Sequence, residues 1–208
     1  MGKKNSNMNG QFMSQCKHLN AKMRRILIDW IFEVSQNWSM EEYTVHLCVY
    51  IIDSYLHDEV NVERNDLQKI GISALHISCK IEERYAPSIS DFVHICDNQY
   101  TDDDIVNCER IILKSLDYDL MKETFPYCRD RICKEWNDKS TFYMNCLLFE
   151  PTILYEHDMV DILESCVALT CNKDNYWSQC MEKIKNYICE FEKDVHAQHV
   201  FTKSKWSK

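Results

Sequence analysis

The residue with the clearest chemical requirement in this sequence is Arg24, a cation within an apolar helical segment. The segment reads Met-Arg-Arg-Ile-Leu-Ile-Asp-Trp-Ile-Phe-Glu-Val at residues 23–34. Its apolar members recur at the spacing of one helix face and are Met23, Ile26, Leu27, Trp30, Ile31 and Val34. Because an unpaired buried charge is costly, Arg24 is predicted to dip toward the interior and to pair with a buried acid. The chemistry indicated is charge pairing.

Residues suited to catalysis do not form a recognisable pattern. No nucleophile–base arrangement, phosphate-binding glycine loop or paired acid site stands out, so the sequence predicts no enzyme and no cofactor. His196 and His199 lie three residues apart near Glu192, which is the spacing of a weak metal-binding face. Without further ligands they are interpreted as surface histidines, and no metal is predicted.

The scarcity of turn residues favours helices as the elements that position these groups. The 208 residues include only three glycines and three prolines, and Gly71 is the sole glycine after residue 10. Sheet proteins need turns at short intervals, and these turns use Gly, Pro and Asn. No apolar stretch approaches the ~20 residues of a membrane-spanning helix, and the N-terminus lacks the apolar core of a secretory signal. We therefore predict an all-α fold.

The charge balance limits the kind of partner. The formal net charge is −9, from 33 acidic and 24 basic residues, whereas nucleic-acid binders usually present a basic face. No nucleic-acid partner is predicted, and a protein partner with a basic contact surface remains open. The twelve cysteines contain no Cys-x-x-Cys pair, so they are interpreted as reduced, buried thiols of an intracellular protein.

Capping residues locate the starts of the first helices. Residues 39–42 have the Ser-x-x-Glu form of a capping box, and Thr101 is followed by three aspartates, which the helix macrodipole favours at an N-terminus. The four candidate N-caps are Ser39, Asn65, Ser88 and Thr101. Together with residues 23–34 they predict five helices, the later four at about residues 43–55, 67–84, 89–96 and 102–116.

A second group of helices follows a linking segment at residues 116–122. Thr124 and Pro126 predict a helix start, because proline is tolerated in the first turn. Three apolar segments follow, at residues 141–155, 159–171 and 181–191. Their order predicts a second and shorter helical unit after the first.

The segment at residues 23–34 resembles the first helix of the cyclin box, most closely that of A- and B-type cyclins. Residues 89–101 also follow the pattern of these cyclins, and the resemblance is dense from Met23 to Leu120 and thin afterwards. It implies a cyclin fold with two tandem cyclin-box lobes, at residues 22–121 and 122–208, the second one shortened. Residues 1–21 are expected to form an N-terminal segment, in which the long N-terminal helix of mammalian A-type cyclins is expected to be absent or reduced to residues 11–20.

The resemblance also implies roles for individual residues. Asp53 matches the acid that forms a structural ion pair with the arginine of the first helix, here Arg24. Lys80 in Ser-Cys-Lys-Ile-Glu-Glu and Glu109 in Asn-Cys-Glu-Arg-Ile-Ile-Leu-Lys-Ser-Leu match the kinase-binding lysine and glutamate of cyclins. Spacing alone would make them two solvated helix charges with no specific role. The apolar part of the kinase contact would comprise Ile81, Leu113 and Tyr118.

A surface that docks peptides is implied by eight residue types shared with cyclins. These docking-surface residues are Met23, Ile26, Leu27, Trp30, Glu33, Arg64, Leu67 and Gln68. In cyclins this surface binds Arg-x-Leu peptides of substrates and inhibitors, and exposed apolar patches usually have a partner. The alternative is that the apolar stripe belongs entirely to the core. Lys69 departs from the family, which usually has leucine there, so the packing must differ or the lysine must snorkel.

Taken together, the resemblance implies a regulatory subunit that binds and allosterically activates a cyclin-dependent protein kinase, in the nucleus, the cytoplasm or both. Two alternatives belong to other classes of protein. One is a cyclin-fold peptide-docking adaptor without kinase activation, and the other is a cyclin-like transcription factor that binds DNA. The acidic net charge and the presence of both Lys80 and Glu109 count against these alternatives.

The N-terminus carries a separate signal. Residues 1–6, Met-Gly-Lys-Lys-Asn-Ser, fit the Met-Gly-x-x-x-Ser pattern for N-myristoylation of Gly2. One acyl chain anchors weakly, with modest help from Lys3 and Lys4 at an anionic membrane. Because the pattern is short and is often matched by chance, an unmodified N-terminus is the alternative.

Overall fold

The computed structural model describes residues 8–120, 122–133, 135–171 and 178–191. This part of the chain contains ten α-helices, two short 3₁₀ turns at Phe12–Ser14 and Arg64–Asp66, and no strand. The predicted all-α fold is therefore confirmed. The helices are α1 (Ala21–Asn37), α2 (Glu42–Asp58), α3 (Leu67–Glu82), α4 (Ile89–Ile95), α5 (Asp102–Ser115), α6 (Phe125–Ile132), α7 (Asp138–Leu147), α8 (Pro151–Glu156), α9 (Met159–Thr170) and α10 (Gln179–Phe191).

The helices are divided between two compact units. One unit is Phe12–Thr124 and holds α1 to α5, and the other groups residues 8–11 with α6 to α10. The first unit starts at Phe12, ahead of residue 22, because the 3₁₀ turn buries Phe12 and Met13 and packs against α2. The segment predicted at residues 1–21 thus supplies apolar contacts to a helical unit.

Helix α3 lies at the centre of the first unit. It packs against α1, α2, α4 and α5, and every residue from Ile70 to Cys79 is buried. Gly71 lies in this helix, as predicted, and an added Cβ there would approach Leu27 Cδ1 of α1 to 2.6 Å. The missing side chain at residue 71 therefore allows α1 and α3 to pack closely.

Two of the four predicted N-caps are confirmed. Ser88 caps α4 in a capping box with Asp91, and Thr101 caps α5 in a capping box with Asp104. In each box the hydroxyl oxygen accepts the backbone N–H of the third residue, whose carboxylate accepts the N–H of the cap. These local contacts hold the start of α5, the helix that carries Glu109.

The other two predicted caps are wrong. Ser39 adopts a left-handed φ of 53°, and α2 begins later, with Glu41 in the N-cap position. The carboxylate of Glu83, at the end of α3, instead accepts the Glu41 N–H at 2.8 Å and the Thr44 hydroxyl. Asn65 lies inside the 3₁₀ turn, so that Asp66 is the N-cap of α3. A tertiary contact replaces the local one at α2.

The second unit differs from its prediction at residues 141–155, which form two helices. Helix α7 ends at Leu147 and α8 begins at Pro151. Proline lacks a backbone N–H and disfavours helical geometry in the residue before it, so it ends one helix and starts the next. Helix α9 packs against α6, α7 and α10. Gly10 lies against the start of α8, where an added Cβ would approach Thr152 Cα to 2.5 Å.

The cysteines are free thiols, as predicted. Nine are buried, Cys133 is half-buried, and Cys171 and Cys189 are exposed. Burial raises the pKa of the Cys79 thiol to about 12 and that of the Cys96 thiol to about 11, so these groups stay protonated and unreactive at neutral pH. No helix in the described ranges is long and apolar enough to cross a membrane.

Candidate functional site

A buried ion pair fixes the helices around α3. The Arg24 guanidinium of α1 donates to both carboxylate oxygens of Asp53 in α2, each at 2.6 Å. The two side chains are 1% and 0% exposed. A bidentate pair of this kind is strong and directional, and at this depth it holds α1 and α2 in one relative position. The acid partner that Arg24 needs is thus supplied from a neighbouring helix.

A second ion pair lies at the other end of α3. Lys80 Nζ, in the last turn of α3, donates to Glu109 Oε1 of α5 at 2.6 Å. The Lys80 side chain is 45% exposed, whereas that of Glu109 is 8% exposed. The interpretation of both residues as solvated charges is wrong for Glu109, because the packing of α5 against α3 covers its carboxylate. The pair presents a half-exposed cation above a buried anion.

A third residue, His76, contacts the same carboxylate. Its Nδ1 lies 2.9 Å from Glu109 Oε1, as a close polar contact outside hydrogen-bond geometry, and the ring is almost as buried as the glutamate. Burial alone would raise the pKa of the Glu109 carboxyl, but the neighbouring His76 ring and Lys80 ammonium lower it, to a net value below the ordinary 4.5. Glu109 is therefore ionised at neutral pH, although it lies in the interior.

Sequence reasoning missed His76. A signal was present, because His76 interrupts the buried run from Ile70 to Cys79 and precedes Lys80 by four residues, which places the two side chains on one helix face. A buried imidazole is expected to lie close to a polar or charged group. What the sequence could not supply is the identity of that group, Glu109 on another helix.

Apolar side chains accompany this pair on both helices. Ile81 follows Lys80 on α3 and is 41% exposed, and Leu113 lies one turn after Glu109 on α5 and is half-buried. Tyr118 is 69% exposed and follows the end of α5, where its backbone N–H donates to the Leu113 carbonyl at 2.9 Å. We call Lys80, Ile81, Glu109, Leu113 and Tyr118 the α3–α5 surface.

The eight docking-surface residues lie on elements that pack together, namely α1, the 3₁₀ turn at Arg64–Asp66 and α3. Leu27 and Leu67 are buried, at 5% and 7% exposure, whereas Ile26 is 60% exposed. The other members divide between half-buried and exposed side chains: Met23, Trp30 and Gln68 are half-buried, and Glu33 and Arg64 are exposed. The apolar stripe is therefore core at Leu27 and surface at Ile26.

Lys69 reaches polar neighbours at the edge of α3. Its Nζ lies 2.8 Å from Asp66 Oδ1 and 6.0 Å from the centre of the Tyr100 ring. The hydrogen bond with Asp66 raises the pKa of the lysine. This geometry corresponds to the snorkelling alternative, with the aliphatic stem along the helix and the ammonium at the surface.

Two candidate sites belong to the ends of the chain. Gly2, the predicted myristoylation site, and the residues Glu192, His196 and His199 lie outside the described residues. Within residues 8–120, 122–133, 135–171 and 178–191, no group of three or more His, Cys, Asp and Glu side chains is arranged to hold a metal ion.

The described residues form an all-helical protein, and both surfaces lie on helices of its first unit. A family model described as "Cyclin, N-terminal domain" matches residues 2–121, more than half of the chain. The chain therefore belongs to the cyclin family.

Curated relatives extend the match beyond that domain. The chain is 34% identical to "Cyclin-B2-2" of Oryza sativa subsp. indica over 186 residues, which are 85% of this chain and 44% of that protein. It is 34% identical to "G2/mitotic-specific cyclin-B" of Patella vulgata over 86% of this chain and 45% of that protein. The chain thus spans less than half the length of these relatives.

A solved structure shares the fold. It is described as a viral cyclin from herpesvirus saimiri, and it superposes with a TM-score of 0.68 over 86% of this chain and 90% of its own. The two sequences are only 17% identical. The arrangement of helices predicted from the resemblance to cyclins is therefore confirmed at the level of the fold.

Proposed function

We propose that this chain binds a cyclin-dependent protein kinase through the α3–α5 surface and activates it. The observation that carries the proposal is the half-exposed Lys80 ammonium held 2.6 Å from the buried Glu109 carboxylate, together with two exposed side chains, Ile81 next to Lys80 in the chain and Tyr118 after the end of α5. Charged groups that are fixed by a buried partner and edged by apolar side chains are suited to a desolvated protein contact.

Activation follows from differential binding. In this proposal Lys80 and Glu109 hydrogen-bond main-chain groups beside the αC helix of the kinase, and the apolar side chains pack against that helix. The αC helix is thereby held inward, where the kinase's own Lys–Glu ion pair forms, and the activation loop leaves the substrate path. The cyclin supplies no reacting group, because it shifts the kinase toward a conformation that it binds more tightly. A kinase partner also places the protein inside the cell, in the nucleus or the cytoplasm.

The test is to measure binding and activation of a panel of cyclin-dependent kinases by variants of the two charged residues. Lys80→Ala and Glu109→Gln should each cost about 2–5 kcal/mol of binding free energy, because each leaves a polar partner group unsatisfied in the interface. Glutamine is chosen for residue 109 because the carboxylate is buried. Lys185→Ala, at an exposed lysine of α10 in the other unit, is the control and should bind as the parent does.

The proposal fails if both variants bind and activate every kinase as well as the parent protein. A parent that binds Arg-x-Leu peptides but no kinase would instead be a docking adaptor. Binding to duplex DNA that weakens steeply with salt would indicate the DNA-binding alternative.

We also propose that the docking surface recruits Arg-x-Leu peptides. The supporting observation is Ile26, which is 60% exposed beside the half-buried Trp30 and the exposed Glu33 on α1. The apolar groups would take the leucine, and the Glu33 carboxylate would attract the arginine. Ile26→Ala with Trp30→Ala should raise the Kd for such a peptide, measured by calorimetry, at least about tenfold.

The matched control for the docking surface is Ile111→Ala. Ile111 is an isoleucine of similar exposure, 57% against 60% for Ile26, but it lies on α5. Leu27 is left intact because it is buried and its truncation would cost about 2–5 kcal/mol of stability. Equal peptide affinity of the parent and the Ile26, Trp30 double variant would exclude this surface.

A further inference from the structure

His76 is held between two neighbours on different helices. On one side its Nδ1 lies 2.9 Å from Glu109 Oε1 of α5. On the other side its ring centre lies 4.7 Å from that of Phe92 in α4, and Phe92 is itself fully buried against Trp38 in an edge-on contact at 5.1 Å. These contacts leave the imidazole little freedom to turn. Its position on α3 is therefore tied to the position of the glutamate.

His76 and Lys80 are directed at the same oxygen. Both the imidazole Nδ1 and the ammonium Nζ approach Glu109 Oε1, at 2.9 Å and 2.6 Å. The two groups differ in freedom, because the His76 side chain is 11% exposed and that of Lys80 is 45% exposed. If Lys80 turns toward a partner protein, the His76 ring stays beside the carboxylate. The buried anion then keeps the His76 Nδ1 as a close polar neighbour, which lowers the large cost of an unpaired buried charge.

We propose that His76 is a positioning residue of the α3–α5 surface: it holds the Glu109 carboxylate in place and so frees the Lys80 ammonium to bind a carbonyl of the kinase. This inference rests on the proposed kinase binding. His76 does not touch the kinase in this account and acts only through Glu109. Its contribution should therefore disappear when Glu109 is removed.

The first test compares two substitutions at residue 76. His76→Leu fills the site with an apolar side chain of similar size and removes the ring nitrogen. Because the Glu109 carboxylate then loses one close polar neighbour, the Kd for the kinase should rise about fivefold to tenfold. His76→Asn places an amide nitrogen near the position of Nδ1 and should recover most of the affinity. The control is His94→Leu, at an exposed histidine of α4 in the same unit, which should bind as the parent does.

The second test asks whether His76 acts through Glu109. In a double-mutant cycle, His76→Leu should add almost nothing to the rise in Kd caused by Glu109→Gln, because the group it positions is already absent. A role limited to general packing would give additive effects. Additive effects, or a His76→Leu variant with the parent's affinity, would overturn the inference and leave the proposed kinase binding intact.

A third measurement needs no kinase. Carboxyl-carbon NMR titration should show a higher pKa for Glu109 in His76→Leu than in the parent, because burial persists while one stabilising neighbour is lost. His76→Asn should show a smaller rise. An unchanged Glu109 pKa in His76→Leu would overturn the inference. If the titration behaves as expected but the parent binds no kinase, it is the proposed function that fails, and the role of His76 at that surface fails with it.

Discussion

Two ion pairs in the first unit have the same sequence spacing and contact distance but differ in how far their cations are exposed to solvent. Arg24–Asp53 and Lys80–Glu109 each join residues 29 apart, on neighbouring helices, with a nitrogen–oxygen distance of 2.6 Å. In the first pair the two side chains are only 1% and 0% exposed. In the second pair the cation is 45% exposed. Sequence spacing and contact distance are therefore not what separates them.

The exposure of the cation and the geometry of the contact separate the two pairs. Arginine binds Asp53 through two parallel hydrogen bonds in a fixed fork, which suits a permanent link between helices. Lysine offers a point charge on a flexible stem, so Lys80 can exchange Glu109 for another acceptor at small cost. The first pair is suited to stabilising the fold and the second to binding a partner.

The largest expected effect is on stability, from Arg24→Ala. Truncation removes the bidentate partner of the fully buried Asp53 carboxylate, so the free energy of unfolding should fall by about 3–5 kcal/mol. Domains of this size have a total of roughly 5–15 kcal/mol, so this loss is a large share of the stability. Urea unfolding followed by circular dichroism measures the loss.

A double replacement shows whether the Arg24 effect comes from the loss of the charge pair. Arg24→Met with Asp53→Leu removes both charges and fills the space, so it should recover most of the stability lost in Arg24→Ala. If Arg24→Ala unfolds at the urea concentration of the parent, the pair is not a structural link and the contrast with Lys80–Glu109 does not hold.

The capping residues are predictable from the sequence only where a helix start is fixed by local contacts. Ser88 and Thr101 cap α4 and α5 through partners three residues away, so their pattern was sufficient. At α2 the cap comes from Glu83, at the end of another helix, and no local pattern could have revealed it. Pro151 predicts the break between α7 and α8, but the apolar pattern of residues 141–155 runs across it and hides the break.

The site residues divide in the same way, into those with local signals and those that depend on tertiary packing. The apolar stripe around Arg24 indicates that a buried acid is needed, but only the resemblance to cyclins points to Asp53. Spacing alone predicts a solvated Glu109, because the burial of this residue depends on how α5 packs against α3. The contact made by His76 has no local signal for a related reason, since Glu109 lies 33 residues further along the chain on α5.

A smaller effect on stability is expected from Lys80→Ala. The variant should lose only about 0–1 kcal/mol of unfolding free energy, because the lysine is half-exposed and His76 still contacts the carboxylate. Its kinase affinity should nevertheless fall as proposed above, which is the reverse of the pattern expected for Arg24→Ala. A loss in urea unfolding as large as that of Arg24→Ala would show that Lys80 too is mainly structural.

The smallest expected effect is a pH dependence of stability from Glu109. Its carboxyl has a pKa below the ordinary value of 4.5 in the folded protein, so the ionised form stabilises the fold above that pH. This stabilisation is lost as the pH falls through the folded pKa. The difference in unfolding free energy between the parent and Glu109→Gln should therefore shrink as the pH is lowered from 6 to 3. Glu33→Gln, at an exposed glutamate of α1, provides the baseline in the same urea titrations.

A difference between the parent and Glu109→Gln that stays constant over this range would mean that the His76 and Lys80 contacts do not stabilise the ionised carboxylate. The second pair would then contribute to binding alone, with no electrostatic part in the fold.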